Sequence, residues 1–270
     1  MNATAGTIAL TPLDLVLAAS LLVINAAISW AFGLRLERGI AFAATRMVVQ
    51  LALVGLVLKF IFAQTSPVWT LALVLVMAAA AGVEVVTRQH RRLKGWQAFG
   101  LSSATLLFIG VAITSLGVGV IIEPEPWYAP RYVLPILGMV LGNAMTAMSL
   151  VLDTFCETVT RERTAIEARL ALGAQRQEAM SGALRASLRT GMTPILTSMA
   201  TTGIVALPGM MTGQILAGAD PVEAVKYQVL IMFLIAAATA LASFFGGLGA
   251  ALLLTDKRQR LRLERLAAPK

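Results

Sequence analysis

Residues 98–122 read AFGLSSATLLFIGVAITSLGVGVII, a run with no charged side chain. A helix needs about 20 apolar residues to cross the hydrocarbon core of a bilayer, so this run is long enough to span. It is continuously apolar and does not alternate residue by residue, which argues for a helix and against a barrel strand. Working outward, runs of the same kind recur at about 12–32, 40–62, 67–86, 132–153, 192–214 and 227–254. The expected fold is therefore an all-α polytopic integral membrane protein of about seven transmembrane helices, one permease-like domain over residues 1–270.

Composition agrees. Hydrophobic residues make up 58% of the 270 positions and charged residues 13%, against about 25% charged in soluble domains. The N-terminal region lacks the basic start and small-residue cleavage site of a signal peptide, so the run from Leu13 to Phe32 reads as a retained helix. Cys156 is the only cysteine, which excludes an intrachain disulfide and a CxxC metal site. His90, the only histidine, sits beside Arg91 and Arg92 and reads as a solvated loop residue.

The net charge of +8 does not point to nucleic acid, because the basic residues fall in short clusters between apolar runs. Arg35 and Arg38 follow the first run, and Arg88, Arg91, Arg92 and Lys94 follow the third. Arg161, Arg163, Arg169, Arg176, Arg185 and Arg189 follow the fifth, and Lys257 to Lys270 form a basic tail, 255–270. The alternate loops hold Arg131 and Lys226 beside Glu123, Glu125, Asp220 and Glu223. Seven spans put every basic cluster on one side, which the positive-inside rule makes the cytoplasm. The N-terminus is then outside and the C-terminus inside. Trp127 and Tyr128, after two Glu-Pro pairs, read as an interfacial anchor at an outer turn.

Residues 154–191 are the one long polar segment, rich in Glu, Arg, Ala, Leu and Gln. Ile166, Leu170 and Leu172 form an apolar stripe, Gly173 interrupts it, and Met180, Leu184 and Leu188 resume it. Two amphipathic helices joined at Gly173 are expected. They serve either as an interfacial connector or as a docking site for a cytoplasmic partner.

Polar groups inside a span are costly and mark candidate function. Arg46 and Gln50 lie one turn apart in the second run; Glu84 and Asp153 lie near the inner ends of the third and fifth. Arg46 is expected to pair with Glu84 or Asp153, unless each charge snorkels to the headgroups. Gly138 and Gly142 form a GxxxG beside Asn143. In the sixth run Pro208-Gly209 reads as a hinge or unwound site, followed by Met210, Met211 and Gln214. Met145, Met148, Met199, Met210 and Met211 offer thioethers to a soft metal, or simply pack. No fixed metal site is expected.

Glu167-Ala168-Arg169-Leu170-Ala171-Leu172-Gly173-Ala174 resembles the EAA-type coupling loop of ABC transporter permeases, without the Ile-x-Leu-Pro continuation of importers. The strings 137–145, LGMVLGNAM, and 207–221, LPGMMTGQILAGADP, resemble the FetB (UPF0014) family, permeases of iron-exporting ABC transporters related to plant aluminium-sensitivity proteins. The resemblance covers nearly the whole chain. It implies a bacterial inner-membrane permease, homodimeric, driven by a separate ATPase that binds ATP and Mg and docks on Glu167, Ala168, Arg169, Leu170, Gly173 and Ala174. Iron efflux is the implied activity, with a nucleotide sugar such as UDP-glucose as the alternative cargo. The sequence itself holds no GxxxxGK[ST] phosphate loop. An ATP-independent secondary transporter would place ionisable residues at the midplane, whereas these charges lie near the inner interface. A membrane enzyme finds no HExxH and no nucleophile–base pair.

Overall fold

A computed structural model describes residues 11–62, 66–89, 93, 96–256 and 258–267. His90, Arg91, Arg92, Lys94, Lys257 and Lys270 lie outside the described residues. The chain forms helices α1 (Pro12–Ala31), α2 (Glu37–Phe62), α3 (Pro67–Arg88), α4 (Trp96–Leu116), α5 (Pro130–Arg161), α6 (Arg163–Ala171), α7 (Arg176–Ala179), α8 (Ser181–Thr201), α9 (Gly209–Leu216) and α10 (Pro221–Leu253). A π-helical turn, Gly117–Ile122, extends α4. Pairing of extended backbone among the described residues is confined to isolated bridges. The all-α polytopic reading holds: α1, α2, α3, α5, α10 and α4 with its π-turn are six helices long and apolar enough to cross a membrane.

The described residues form two units, 11–62 with 213–219, and 66–212 with 220–267. In the first unit α1 packs on α2. Thr11 caps α1 through a reciprocal bond with Asp14. Ser29 Oγ accepts the Leu36 N–H at 2.9 Å and ties the connecting turn. Apart from Ser29 in α1 and Ile61 in α2, no residue of either helix is buried. Helices apolar on every side suit a solvent of acyl chains, in which exposed leucine costs nothing.

In the second unit α5 is the axis, packed against α3, α4, α8 and α10. Val140, Met148, Val151, Phe155 and Val159 on it are fully buried. Gly191 of α8 lets two backbones approach: a Cβ there would overlap Val151 Cγ2 and lie 3.0 Å from the Ala147 carbonyl oxygen. Small residues at such crossings are the usual route to tight packing between membrane helices.

The structure moves two boundaries. α5 runs past residue 153 to Arg161, because Phe155, Cys156 and Val159 continue its buried face. α8 begins at Ser181, because Ala183, Ser187, Gly191 and Ile195 recur every fourth residue on a buried face. The polar segment between these helices is therefore 162–180, half of the expected 154–191. The run 192–214 is also not one continuous helix. α8 stops at Thr201, residues 202–208 are non-helical, and α9 restarts at Gly209. Gly203 takes φ +88°, and the Thr201 carbonyl receives the N–H groups of Val205 and Ala206. Pro208 has no N–H to continue a helix, but its carbonyl accepts the Thr212 N–H at 3.0 Å and starts α9.

Candidate transport site and coupling surface

Three features could serve transport: a polar cavity inside the second unit, the broken backbone after α8, and the α6–α7 hairpin. The cavity, of about 60 Å³, is lined by Asn143, Thr146 and Ala147 of α5, Gly191, Pro194 and Ile195 of α8, and Thr239 of α10. Asn143 Nδ2 donates to the Met139 carbonyl at 2.8 Å, and Thr146 Oγ1 donates to the Gly142 carbonyl at 2.8 Å. Those bonds turn the Thr146 hydroxyl and one N–H of the Asn143 amide onto the helix's own backbone. Thr239 Oγ1 is buried with no partner among the described residues, and so is Ser243 Oγ one turn on. An unpaired hydroxyl in an apolar interior costs about 1–3 kcal/mol, so this is a place where a water or a passing cation is welcome. Pro194 adds to the supply of oxygen, because a proline inside a helix leaves the carbonyl four residues earlier without its N–H.

Among the sequence candidates, Asn143 is therefore at the cavity, and Thr146, Thr239 and Pro194 join it. Thr239 and Thr146 were missed, since a lone threonine in an apolar run gives no periodic signal. Met148 is fully buried: a Cβ at Gly246 would come within 2.9 Å of its Cγ. It packs as core. Met145 is half-buried on α5. The expected break at Pro208-Gly209 falls at the end of the non-helical stretch, with Ile204 and Val205 at its exposed crest, 90% and 79% accessible. Met210, Met211 and Gln214 lie on α9, and Gln214 Oε1 is buried without a partner among the described residues.

Arg46 and Gln50 are exposed on α2, four residues apart, within the first unit. Glu84 and Asp153 are half-buried in the second. Glu84 accepts from Arg88 Nε at 3.1 Å, one turn along its own helix. Among the described residues, no three His, Cys, Asp or Glu converge on one point.

The hairpin is built by α6, a tight turn and α7. Gly173 takes φ +92°. The Gly173 N–H bonds the Leu170 carbonyl and the Ala174 N–H bonds the Arg169 carbonyl, each at 3.1 Å. These two bonds are the Schellman closure of a helix end, which calls for a left-handed residue, usually glycine. Arg169 Nη1 donates to the Ala179 carbonyl at 3.2 Å and fastens the two helices together. Ile166, Ala179 and Met180 face inward and are buried. Leu172, by contrast, is 88% exposed, with Ala168, Ala171 and Gly173 exposed around it. Glu167 pairs with Arg163 Nε at 2.8 Å.

The C-terminal tail holds this hairpin in place. The Arg176 N–H donates to Gln259 Oε1 at 3.0 Å, and Arg176 Nη1 reaches Thr255 Oγ1 at 3.4 Å. Asp256 organises the tail. Backbone N–H groups, foremost that of Arg260, and the Arg260 and Arg262 guanidinium groups hold its carboxyl down at about 2.

Fold and site together define a multi-pass helical membrane protein with a polar cavity among its spans and an ordered helical hairpin outside them. Residues 12–252 match an uncharacterised protein family, UPF0014. The chain is 37% identical over 207 residues to UPF0014 membrane protein slr1647 of Synechocystis, covering 75% of this chain and 78% of that one. It is 36% identical over 230 residues to the probable iron export permease protein FetB of Escherichia coli, covering 85% and 86%. It is 33% identical over 228 residues to protein ALUMINUM SENSITIVE 3 of Arabidopsis, covering 84% and 81%. No solved structure matches. The chain belongs to the UPF0014 family.

Proposed function

We propose that this chain is the permease subunit of an ATP-driven exporter in a bacterial inner membrane, paired with a separate ATPase and completed by a second copy of itself. The observation that carries the reading is the α6–α7 hairpin. It is ordered by the Gly173 turn and the Arg169–Ala179 bond, yet it turns an 88% exposed leucine and three small residues outward. An apolar knob in a ring of small residues, flanked by Arg163, Glu167 and Arg169, suits insertion into a groove of a soluble partner. ATP and Mg bind in that partner.

The packing supports a seventh crossing. α10 ends at Leu253, and Thr255 just beyond it is contacted by Arg176 at the start of α7, so α10 finishes on the side where α5 delivers the chain to the hairpin. The chain must then cross once between Ala179 and Pro221, and α8, packed on both α5 and α10, is the crossing. Arg185 and Arg189 keep α8 below the hydropathy of the other six. With that crossing counted, the basic hairpin and tail lie in the cytoplasm and α1 starts outside.

Iron is the proposed cargo, as the name of the E. coli relative suggests. Asn143, Thr146 and Thr239 offer neutral oxygens, which bind a divalent cation weakly enough to release it. A cavity of about 60 Å³ is far too small for a nucleotide sugar in this state. Arg46 and Gln50 of the first unit are proposed as path residues on their polarity within an apolar helix alone. The test is co-purification with the ATPase, then ATP-dependent Fe(II) movement in proteoliposomes. Iron movement by the chain alone, or failure to bind any ABC ATPase, overturns the proposal.

A further inference from the structure

A second cavity, of about 370 Å³, lies at the opposite end of the second unit from the hairpin. The first turns of α3, the last turn of α4 with its π-turn, and the start of α5 surround it. Val74, Val111, Val118 and Leu137 give it an apolar wall, and Trp127 and Tyr128 stand at its rim as an edge-to-face pair 5.8 Å apart. The π-turn shapes it: Gly119 lines the cavity, and a Cβ there would meet nothing within 4 Å. Val68, Leu71 and Trp127 are exposed, so the mouth opens sideways to the bilayer and not to water alone.

Two features separate this cavity from an ordinary gap between helices. Thr70 and Thr114, 5% and 4% accessible, both line it, and the Oγ1 of each is buried without a partner among the described residues. Threonine in a helix commonly turns its hydroxyl back to its own backbone, as Thr146 and Thr160 do here. Thr70 and Thr114 do not. Two unpartnered hydroxyls packed in the wall of one apolar cavity, each brought to it by a turn about χ1, near the level of interfacial aromatic residues, fit an occupant that is hydrocarbon over most of its length and carries an acceptor near one end.

We propose that this cavity binds a membrane phospholipid, with one acyl chain between α3, α4 and α5 and an ester carbonyl accepting from Thr70 and Thr114. The occupant is a lipid because the mouth opens where acyl chains are the solvent. In a bilayer, apolar burial alone gives no selectivity for the site. The hydroxyl–carbonyl bonds must supply it. The site is independent of the transport reading, which rests on the hairpin and on the separate Asn143–Thr239 cavity.

The experiment is native mass spectrometry of the full chain released from detergent, titrated with dioleoyl phosphatidylethanolamine and with its diether analogue, which lacks the carbonyls. Wild type should bind one ester lipid saturably and the diether about three- to tenfold more weakly, the effect of a hydrogen bond or two. Thr70→Val with Thr114→Val should erase that difference. Gly119→Leu, which fills the cavity without strain, should lower occupancy while the melting temperature holds. Equal binding of ester and ether lipid by wild type, undiminished occupancy in the filled variant, or displacement of lipid by a second copy in the dimer peak would overturn the proposal.

Discussion

Gly173→Ala isolates the contribution of hairpin order to coupling. A Cβ at Gly173 meets nothing within 4 Å, so the substitution adds no clash. What it adds is a side chain at φ +92°, a region that costs non-glycine residues about 1–2 kcal/mol. If the turn gives way, the 3.1 Å bonds from Gly173 to Leu170 and from Ala174 to Arg169 are lost with it. A docking surface that is ordered only part of the time binds more weakly by the fraction ordered. The strain alone predicts a five- to thirtyfold weaker affinity for the ATPase, at about 1.4 kcal/mol per decade. Gly182→Ala is the control. It also meets open space, but it lies in α8, where alanine is favoured by roughly 0.5–1 kcal/mol. The assay is titration of the ATPase onto the permease in nanodiscs, with ATP hydrolysis as a second readout. Equal affinity for both variants, or a loss in the control of the same size, refutes the link between the Gly173 turn and docking.

Leu172→Glu puts a charge on the exposed knob and leaves the fold alone; ATPase binding should fall at least tenfold at an unchanged melting temperature, and a retained complex counts against this surface. Gly191→Ala forces apart the α5–α8 crossing and should cost about 1–3 kcal/mol, read as a lowered melting temperature in detergent. Thr239→Val removes an unpartnered hydroxyl, so stability should hold or rise while iron efflux slows; a normal rate takes Thr239 off the pathway. Asp256 titrates at about 2 in the folded tail against an ordinary 3.8, so its contribution is complete above about pH 4 and is lost as pH falls toward 2. Hydrogen exchange of the Arg258 and Arg260 amides, corrected for its intrinsic pH dependence, should be flat from pH 8 to 5 and accelerate below 4. In Asp256→Asn it should be fast throughout.

Hydropathy and charge show the membrane class and the six long apolar helices in the sequence, because a bilayer imposes length and composition on each span separately. The signal fails where a helix answers to its neighbours instead. α8 carries Arg185, Arg189, Thr190 and Thr193 on its outer side, while its inner side is Ala183, Ser187, Gly191 and Ile195, all small or branched. Its hydropathy is that of a surface helix, and only its packing on α5 and α10 gives it away. The apolar run 192–214 therefore begins some ten residues after α8 does. The break near Pro208 was legible, since proline and glycine act through the backbone and need no neighbour to be read.

The cavity shows why transport residues are harder to read than spans. Asn143 could be singled out because an amide in lipid needs a partner wherever it points. Thr146 and Thr239 could not, because a threonine in a membrane helix satisfies itself on the preceding turn unless packing prevents it. Thr146 does so, at 2.8 Å from the Gly142 carbonyl; Thr239, on a different helix facing the same cavity, does not. The difference between them lies in the approach of three helices whose contact depends on Gly191. Arg46 poses the reverse case: its position in an apolar helix is conspicuous, but its role depends on what is placed against α2 from outside it. Residues that act through one cavity carry signals that are individually weak and collectively specific. Asn143 and Thr239 should therefore behave as one unit in transport. If Asn143→Leu and Thr239→Val each slow efflux tenfold, the double variant should be far less than a hundredfold slower, because both act on one cavity. Full additivity would separate Thr239 from Asn143 and dissolve the cavity as a site.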